Sequence, residues 1–176
     1  MNTEFNFNRD SLTSHYFLQP GYILVPDQAV SISTVIGSGV SICIFDRKKH
    51  MGGMNHFQYP YMATKGKTTA LYGNVSTIAL LKMMLARDSS IKHLEAQIYG
   101  GAYYPEKSNQ DIGRDNIEMA IKILSKNKIA ITSQDVGGER GRKVVFNTGS
   151  NDIAVLKVDR LRDMDWYPYQ EEGKER

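Results

Sequence analysis

Residues 33–46, S-T-V-I-G-S-G-V-S-I-C-I-F-D, and residues 52–60, G-G-M-N-H-F-Q-Y-P, decide how this chain folds and where its chemistry lies. In the first stretch, apolar residues recur at every second position after Gly39, which is the period of a β-strand with one face in the core. The second stretch has the pattern of a further strand, which Pro60 ends. We therefore expect His56 to lie on a strand beside the one that begins at Gly39.

The rest of the chain alternates short β patterns with two helical patterns. Apolar residues at spacings of three and four predict helices over 74–87, with Asn74 as the N-cap, and over 112–126. Many short strands with two amphipathic helices are typical of a layered α/β sandwich, an α+β single domain of mainly antiparallel strands with the helices over one face. The predicted strands are 22–25, 30–36, 40–45, 54–59, 93–99, 129–136, 143–147 and 153–158.

Length and composition favour one domain without a membrane segment. The chain has 176 residues, 41% of them hydrophobic, which is enough for one buried core. No apolar run approaches the roughly 20 residues that span a bilayer, and the first residues do not resemble a signal sequence, so we expect a cytoplasmic protein without membrane insertion. We divide it into an N-terminal arm (1–20), a folded domain (21–158) and a charged C-terminal tail (159–176).

Charge, cysteine and histidine usage argue against several kinds of site. The net charge is only +3 and its basic residues are mixed with acids, which gives little support for nucleic-acid binding. The single cysteine, Cys43, cannot form an internal disulfide, and the four histidines lack metal-ligand spacing, so we expect neither a metal nor another cofactor. Its apolar neighbours favour Cys43 as a small buried residue over a reactive thiol.

The two opening stretches resemble the signature of CheD, the bacterial chemoreceptor glutamine deamidase, in which a Gly-Ser-Cys-Val segment supplies a thiol and a Gly-Gly-Met-x-His segment supplies a base. Similar blocks follow in the family's order at 98–102 (I-Y-G-G-A), 109–124 and 135–142 (D-V-G-G-E-R-G-R), so that the resemblance covers about residues 21–158. It implies a chemotaxis enzyme that converts receptor glutamines to glutamates and releases ammonia. The implied partners are the helical cytoplasmic region of methyl-accepting chemoreceptors and a CheC-type phosphatase.

In this resemblance the family's reactive thiol falls on Gly39 and its base falls on His56. Glycine has no atom that could attack a carbonyl carbon, so we expect the chain as written to be inactive as a deamidase. For the family's third group, a threonine that orients the imidazole, an ungapped match gives Ser33 and residue type gives Thr34. Ser33 shares a face with position 39 if the chain stays extended between them, and we then favour Ser33; a bulge would favour Thr34.

A binding role without catalysis is the alternative, because Gly39 could reflect either a deliberate replacement or a natural loss of activity. The chain would then be a module that regulates a CheC-type phosphatase or binds receptors. Ser38 points to the opposite face of an extended strand and Cys43 lies about 13 Å further along at roughly 3.3 Å per residue, so we expect neither to supply the nucleophile. Exposed arginines beside a turn are usually solvated, so we do not assign Arg140 and Arg142 to the site.

Overall fold

The structure is a computed structural model, and it describes residues 14–62, 69–162 and 165. Within these residues the chain forms nine β-strands and two α-helices in three layers, with a five-stranded sheet between the helices and a four-stranded sheet. The α+β sandwich predicted from the sequence is therefore confirmed. The helices are α1 (Gly73–Leu85) and α2 (Ile112–Lys126), and the strands are β1 (His15–Phe17), β2 (Tyr22–Leu24), β3 (Ser31–Ile36), β4 (Val40–Asp46), β5 (Met51–His56), β6 (Leu94–Gly100), β7 (Ala130–Val136), β8 (Gly141–Asn147) and β9 (Ile153–Val158).

The two sheets are mainly antiparallel, as predicted. The four-stranded sheet has the order β1-β3-β8-β9 and the five-stranded sheet the order β2-β5-β4-β6-β7. Only the pairs β1–β3 and β6–β7 are parallel among the seven strand pairs. Strands β3 and β4 follow each other in the chain but belong to different sheets, so the short connection between them crosses from one layer to the next.

Two apolar layers hold the molecule together. In the first, fully buried side chains of α1 and α2 pack on the five-stranded sheet, among them Leu80, Met84, Met119 and Leu124. In the second, the two sheets pack face to face through a separate set of buried residues. Each large apolar side chain withdrawn from water in this way contributes about 1.5–3 kcal/mol to stability. The residues of the second layer include Ile32, Ile36, Cys43, Phe45, Met54, Val144 and Phe146.

Helix α2 begins and ends where the sequence predicts, and helix α1 does not. Asp111 caps α2 because its side chain accepts a backbone N–H of the first turn at 3.0 Å. Helix α1 begins at Gly73, with Tyr72 as its N-cap and no side-chain cap, so the prediction that Asn74 is the cap was wrong. The backbone N–H of Gly73 donates to the carbonyl oxygen of Tyr59 at 2.6 Å, so a tertiary contact fixes this end instead.

Strand β5 lies earlier in the chain than the predicted strand over 54–59. It runs antiparallel to β4, with Gly52 opposite Phe45 and Met54 opposite Cys43. Gly52 and its neighbour have no side chains, so the alternation that marks a strand is invisible at its start. The correction places His56 at the last position of β5, which lies between β2 and β4 in the five-stranded sheet.

The two terminal segments touch the folded domain where they are described. Strand β1, in the segment assigned to the arm, pairs with β3, and Leu18 just after it is buried. At the other end, Asp165 is buried although it belongs to the segment assigned to the tail. Residues 1–13 and the tail aromatics in 166–169 lie outside the described residues, and the proposed segment boundaries stay predictions. No helix in the described part of the chain is long and apolar enough to cross a membrane.

Candidate functional site

The connection between β3 and β4 is a bend of three residues, Gly37, Ser38 and Gly39. Two backbone hydrogen bonds from the segment after β6 fix it. The N–H of Ala102 donates to the Gly37 carbonyl at 2.9 Å, and the N–H of Gly101 donates to the Gly39 carbonyl at 2.6 Å. Because the chain bends here, it is not extended from β3 through position 39.

A side chain at position 39 would point at the imidazole of His56. A Cβ atom built on Gly39 lies 3.1 Å from Nε2 of His56 and 2.6 Å from the carbonyl oxygen of Phe57. The first distance shows that a side chain at position 39 would lie beside Nε2 of His56, the ring nitrogen that could take up its proton. The second is shorter than a Cβ and an oxygen normally approach, so the local backbone must shift to accept any residue other than glycine.

Thr34 holds the other ring nitrogen of His56. Its Oγ1 lies 2.9 Å from Nδ1, and its hydroxyl donates to the carbonyl oxygen of Leu18 at 2.7 Å. A hydroxyl has one proton, so an oxygen that donates to Leu18 must accept from Nδ1–H. In the neutral ring the lone pair is then on Nε2, which is the nitrogen that faces position 39.

Strand alternation explains why Thr34 meets His56 and Ser33 does not. Thr34 shares a face of β3 with Ile36, and His56 shares a face of β5 with Met54, and both of these faces look into the layer between the sheets. Ser33 lies on the opposite face of β3. The extended path to position 39 under which we favoured Ser33 is absent, so the contact with the imidazole belongs to Thr34, as the alternative interpretation expected.

Burial keeps His56 neutral. The residue is 2% exposed, and the loss of hydration lowers its pKa from 6.5 to about 4. The nearby Leu18 carbonyl raises the pKa, and the positive charge of Arg162 lowers it. At neutral pH the ring therefore carries no charge and keeps a lone pair that can accept a proton.

Asn116, on α2, holds the same bend from the helix side. Its side-chain Nδ2 donates to the carbonyl oxygens of Ser38 and Gln58, each at 2.9 Å. Asn116 is fully buried, and its Oδ1 has no hydrogen-bond partner among the described residues. The sequence did not mark this residue, because its two partners are backbone groups 78 and 58 positions away.

The C-terminal segment lies over the outer side of the bend. The carbonyl oxygen of Asp165 accepts the backbone N–H of Ser38 at 3.2 Å. The side chain of Leu161 approaches Gly37 closely, since a Cβ built there would lie 3.2 Å from its Cδ1. The N–H of Ser38, next to position 39, is therefore already hydrogen-bonded to a backbone carbonyl.

Cys43 does not take part in the site. It is a free cysteine, buried in the layer between the sheets. Burial raises the pKa of its thiol, and a protonated thiol is a weak nucleophile. The prediction that Cys43 is a small buried residue is confirmed.

The two arginines of the third sequence block differ, and the expectation that both are exposed was wrong for Arg142. The Arg142 side chain is 2% exposed and donates to Asp135 Oδ1 at 2.7 Å and to the Gly137 carbonyl at 2.8 Å. Arg140 is 52% exposed and pairs with Asp159 at the surface. Arg142 thus holds the loop after β7 from inside the protein, and Arg140 behaves as predicted.

Comparison with known proteins gives a consistent result. A family model described as CheD chemotactic sensory transduction matches residues 60–157, a region C-terminal to His56 that contains both helices. A probable chemoreceptor glutamine deamidase CheD of Trichlorobacter lovleyi is 39% identical over 135 residues, covering 76% of this chain and 84% of that protein. A protein of the same name from Sulfurimonas denitrificans is 30% identical over 147 residues, covering 82% and 94%. The probable chemoreceptor glutamine deamidase CheD 1 of Anaeromyxobacter dehalogenans is 32% identical over 133 residues, covering 74% and 77%.

Proposed function

This chain belongs to the CheD family, and we propose that it is a bacterial chemotaxis protein of the chemoreceptor glutamine deamidase type whose nucleophile position is vacant at Gly39. The family's activity is that of a protein-glutamine glutaminase, an amide hydrolase. One observation carries the proposal: a Cβ at position 39 would lie 3.1 Å from Nε2 of His56, while Thr34 holds Nδ1 of the same ring. This is the arrangement that a thiol, a base and an orienting hydroxyl require.

A cysteine at position 39 would supply the missing step. The thiol passes its proton to Nε2 of His56, and the thiolate attacks the side-chain carbonyl carbon of a receptor glutamine, so a C–S bond forms and the carbonyl π electrons move to oxygen. Collapse of this intermediate breaks the C–N bond, and ammonia leaves with the proton from the imidazolium. Water then hydrolyses the thioester to a glutamate and regenerates the thiol. Thr34 serves by keeping the Nδ1–H form of the ring.

The chain as written lacks this step, and no neighbour replaces it. Gly39 has no side-chain atom that could attack a carbon or release a proton. Cys43 is buried, and burial raises the pKa of its thiol. Ser38 offers a hydroxyl, which is far less ionised than a thiol at neutral pH. We therefore expect no receptor deamidation by the Gly39 form.

The experiment compares the chain with Gly39→Cys on a fragment of the helical cytoplasmic region of a chemoreceptor. We expect a mass gain of about one dalton for each glutamine converted, and only with Gly39→Cys. Gly39→Ala is the matched control, because it adds the same Cβ beside the Phe57 carbonyl without adding a thiol. Overpacking of this kind typically costs about 1–3 kcal/mol, so both variants need a check of folding. A folded Gly39→Cys protein without any mass gain would defeat the proposal.

The proposed substrate also determines where the protein works. Receptor glutamines of this kind lie in the helical cytoplasmic region of methyl-accepting chemoreceptors, which puts the protein in the cytoplasm. The expected contact is transient, because a modifying enzyme must release each product. Co-sedimentation of Gly39→Cys with receptor-containing membranes, and its loss when the cytoplasmic region is removed, would test this placement.

A non-catalytic binding role is the second candidate, and the packing at Gly39 favours it. The Phe57 carbonyl lies 2.6 Å from the place of a Cβ, so the described backbone fits glycine better than cysteine. A module that regulates a CheC-type phosphatase or binds receptors needs no thiol. Tight binding of a CheC-type phosphatase by the Gly39 chain, together with an inert Gly39→Cys variant, would favour this role over the enzyme.

A further inference from the structure

The amide of Asn116 can take only one orientation. Both of its partners, the backbone oxygens of Ser38 and Gln58, are acceptors at 2.9 Å. A flipped amide would set its own oxygen against two carbonyl oxygens, so Nδ2 must face them. The Ser38 carbonyl is therefore held toward α2 by a donor that is itself fully buried.

Because the peptide bond is planar, the direction of the Ser38 carbonyl also sets the direction of the Gly39 N–H. The Ser38 carbonyl and the Gly39 N–H belong to one trans peptide unit and point in opposite directions. Because Asn116 draws the carbonyl toward α2, the Gly39 N–H points away from α2. The preceding peptide has the same arrangement: its Gly37 carbonyl accepts from Ala102, and its Ser38 N–H points outward and receives the Asp165 carbonyl oxygen at 3.2 Å. The Ser38 N–H thus already binds one carbonyl oxygen.

We propose that Asn116 is a positioning residue that aims the backbone N–H of residue 39 at the substrate carbonyl oxygen as it becomes negatively charged. This inference deepens the proposed function and rests on it for the identity of the substrate amide. Donors that are fixed before the reaction stabilise a developing oxyanion most effectively, because they need no reorganisation during the reaction. Asn116 itself does not touch the substrate, and it acts through the Ser38–Gly39 peptide.

Two reactions of a cysteine at position 39 can show whether Asn116 positions the oxyanion donor or only changes the reactivity and accessibility of the thiol. In acylation by p-nitrophenyl acetate, the thiolate attacks the ester carbonyl, an oxyanion forms, and p-nitrophenolate leaves. In alkylation by iodoacetamide, the thiolate attacks a methylene carbon and displaces iodide, and no oxyanion forms. The ratio of the two rate constants for Gly39→Cys therefore reports the oxyanion donors and cancels changes in thiolate fraction and access. The Gly39 chain serves as the blank for Cys43.

We expect Asn116→Ala and Asn116→Asp, each in the Gly39→Cys background, to lower this ratio about tenfold or more, since loss of an oxyanion donor commonly costs 10²–10³ in rate. Turnover of the receptor fragment should show a lower kcat with little change in KM. Thr148→Val is the matched control: it removes buried hydrogen bonds to the Val30 N–H and carbonyl, at 2.9 and 3.1 Å, beyond the opposite end of β3. This control should leave the ratio unchanged.

An unchanged ratio in Asn116 variants with native circular dichroism would overturn the inference. If Asn116→Ala does not fold, Asn116→Leu, which has a similar volume and no donor, supports the same comparison. The outcome is also separable from that of the proposed function. A Gly39→Cys parent that never deamidates receptors, but whose acylation ratio falls when Asn116 is replaced, would refute the deamidase and retain the role of Asn116.

Discussion

The hydroxyl of Thr34 and the imidazole of His56 belong to different sheets, and their atoms Oγ1 and Nδ1 lie 2.9 Å apart across the layer between them. This contact sets the tautomer of His56, because the hydroxyl proton of Thr34 is donated to Leu18. The base that the proposed chemistry needs is therefore fixed by the packing of one sheet on the other rather than by neighbours in the chain.

Thr34→Val should separate the role of Thr34 from that of Ser33. Valine keeps the shape of threonine but leaves Nδ1 of His56 and the Leu18 carbonyl without their partner, which costs about 1–3 kcal/mol. In the Gly39→Cys background we expect receptor deamidation to fall roughly 10- to 100-fold, because the ring loses its preferred tautomer. Thr34→Ser, which keeps the hydroxyl, should retain most of the rate. A larger loss from Ser33→Ala than from Thr34→Val would contradict this assignment.

Stability should fall on mild acidification because of His56. Its folded-state pKa of about 4 lies below the ordinary value of 6.5, so the unfolded chain takes up the proton first. Stability is therefore at its full value above pH 6.5 and declines as the pH falls toward 4. The free energy of unfolding should drop by roughly 2 kcal/mol between about pH 7.5 and about pH 5, as measured by urea denaturation.

His56→Gln supplies the control for this pH dependence, since glutamine does not titrate and its profile should be flatter over the same range. The carboxyl of Asp135 also makes stability depend on pH, but over a lower pH range. Burial alone would raise the pKa of its carboxyl, but the hydrogen bond and ion pair with Arg142 lower it below 3.8. Its contribution is therefore present above that value and is lost only as the pH falls further. Equal slopes for the chain and His56→Gln between pH 7.5 and 5 would show that His56 is not the titrating group.

Arg142→Lys should destabilise the protein far more than Arg140→Ala. The Arg142 guanidinium is buried and contacts Asp135 and two backbone carbonyls, and a lysine cannot reproduce this fork of donors. We expect a loss of about 2–4 kcal/mol, somewhat less than for a fully buried pair because Asp135 is partly exposed. Arg140→Ala removes only a surface ion pair and should cost about 1 kcal/mol or less. Guanidinium denaturation of both variants tests the difference, and equal losses would contradict it.

Removal of residues 159–176 should open the bend. This deletion takes away Leu161 and the Asp165 carbonyl, which lie against Gly37 and Ser38. In the Gly39→Cys background we expect iodoacetamide to alkylate the thiol several times faster, because the reagent reaches a site that is no longer covered. Deletion of residues 171–176 alone keeps Asp165 and is the matched control. Equal alkylation rates for the two deletions would show that the segment around Asp165 does not limit access.

Local patterns in the sequence predicted the parts of the fold that local interactions determine. Helix α2 matches its predicted bounds because its apolar stripe is visible in the sequence, although its Asp111 cap was not predicted. The start of α1 was missed because a hydrogen bond from Gly73 to Tyr59, rather than a capping side chain, fixes it. The start of β5 was missed because Gly52 and Gly53 carry no side chains from which an alternation could be read.

In the candidate site, too, the sequence predicted some residues and could not predict those whose roles depend on tertiary contacts. Gly39 and His56 could be named from the motif, and the structure brings them together, while their catalytic roles stay predictions. Neither Asn116 nor the burial of Arg142 could be predicted, since each depends on backbone carbonyls that the fold supplies. The choice between Ser33 and Thr34 depended on whether the chain bends before position 39, and no residue pattern determines that bend.

Because β3 and β4 pair in different sheets, Thr34 meets His56 only when the two sheets pack on each other. A newly synthesised chain with either sheet alone has Thr34 without His56, or His56 without its tautomer fixed. A cysteine introduced at position 39 would already lie beside His56 once β4 pairs with β5, but the ring would gain its fixed tautomer only in the complete sandwich.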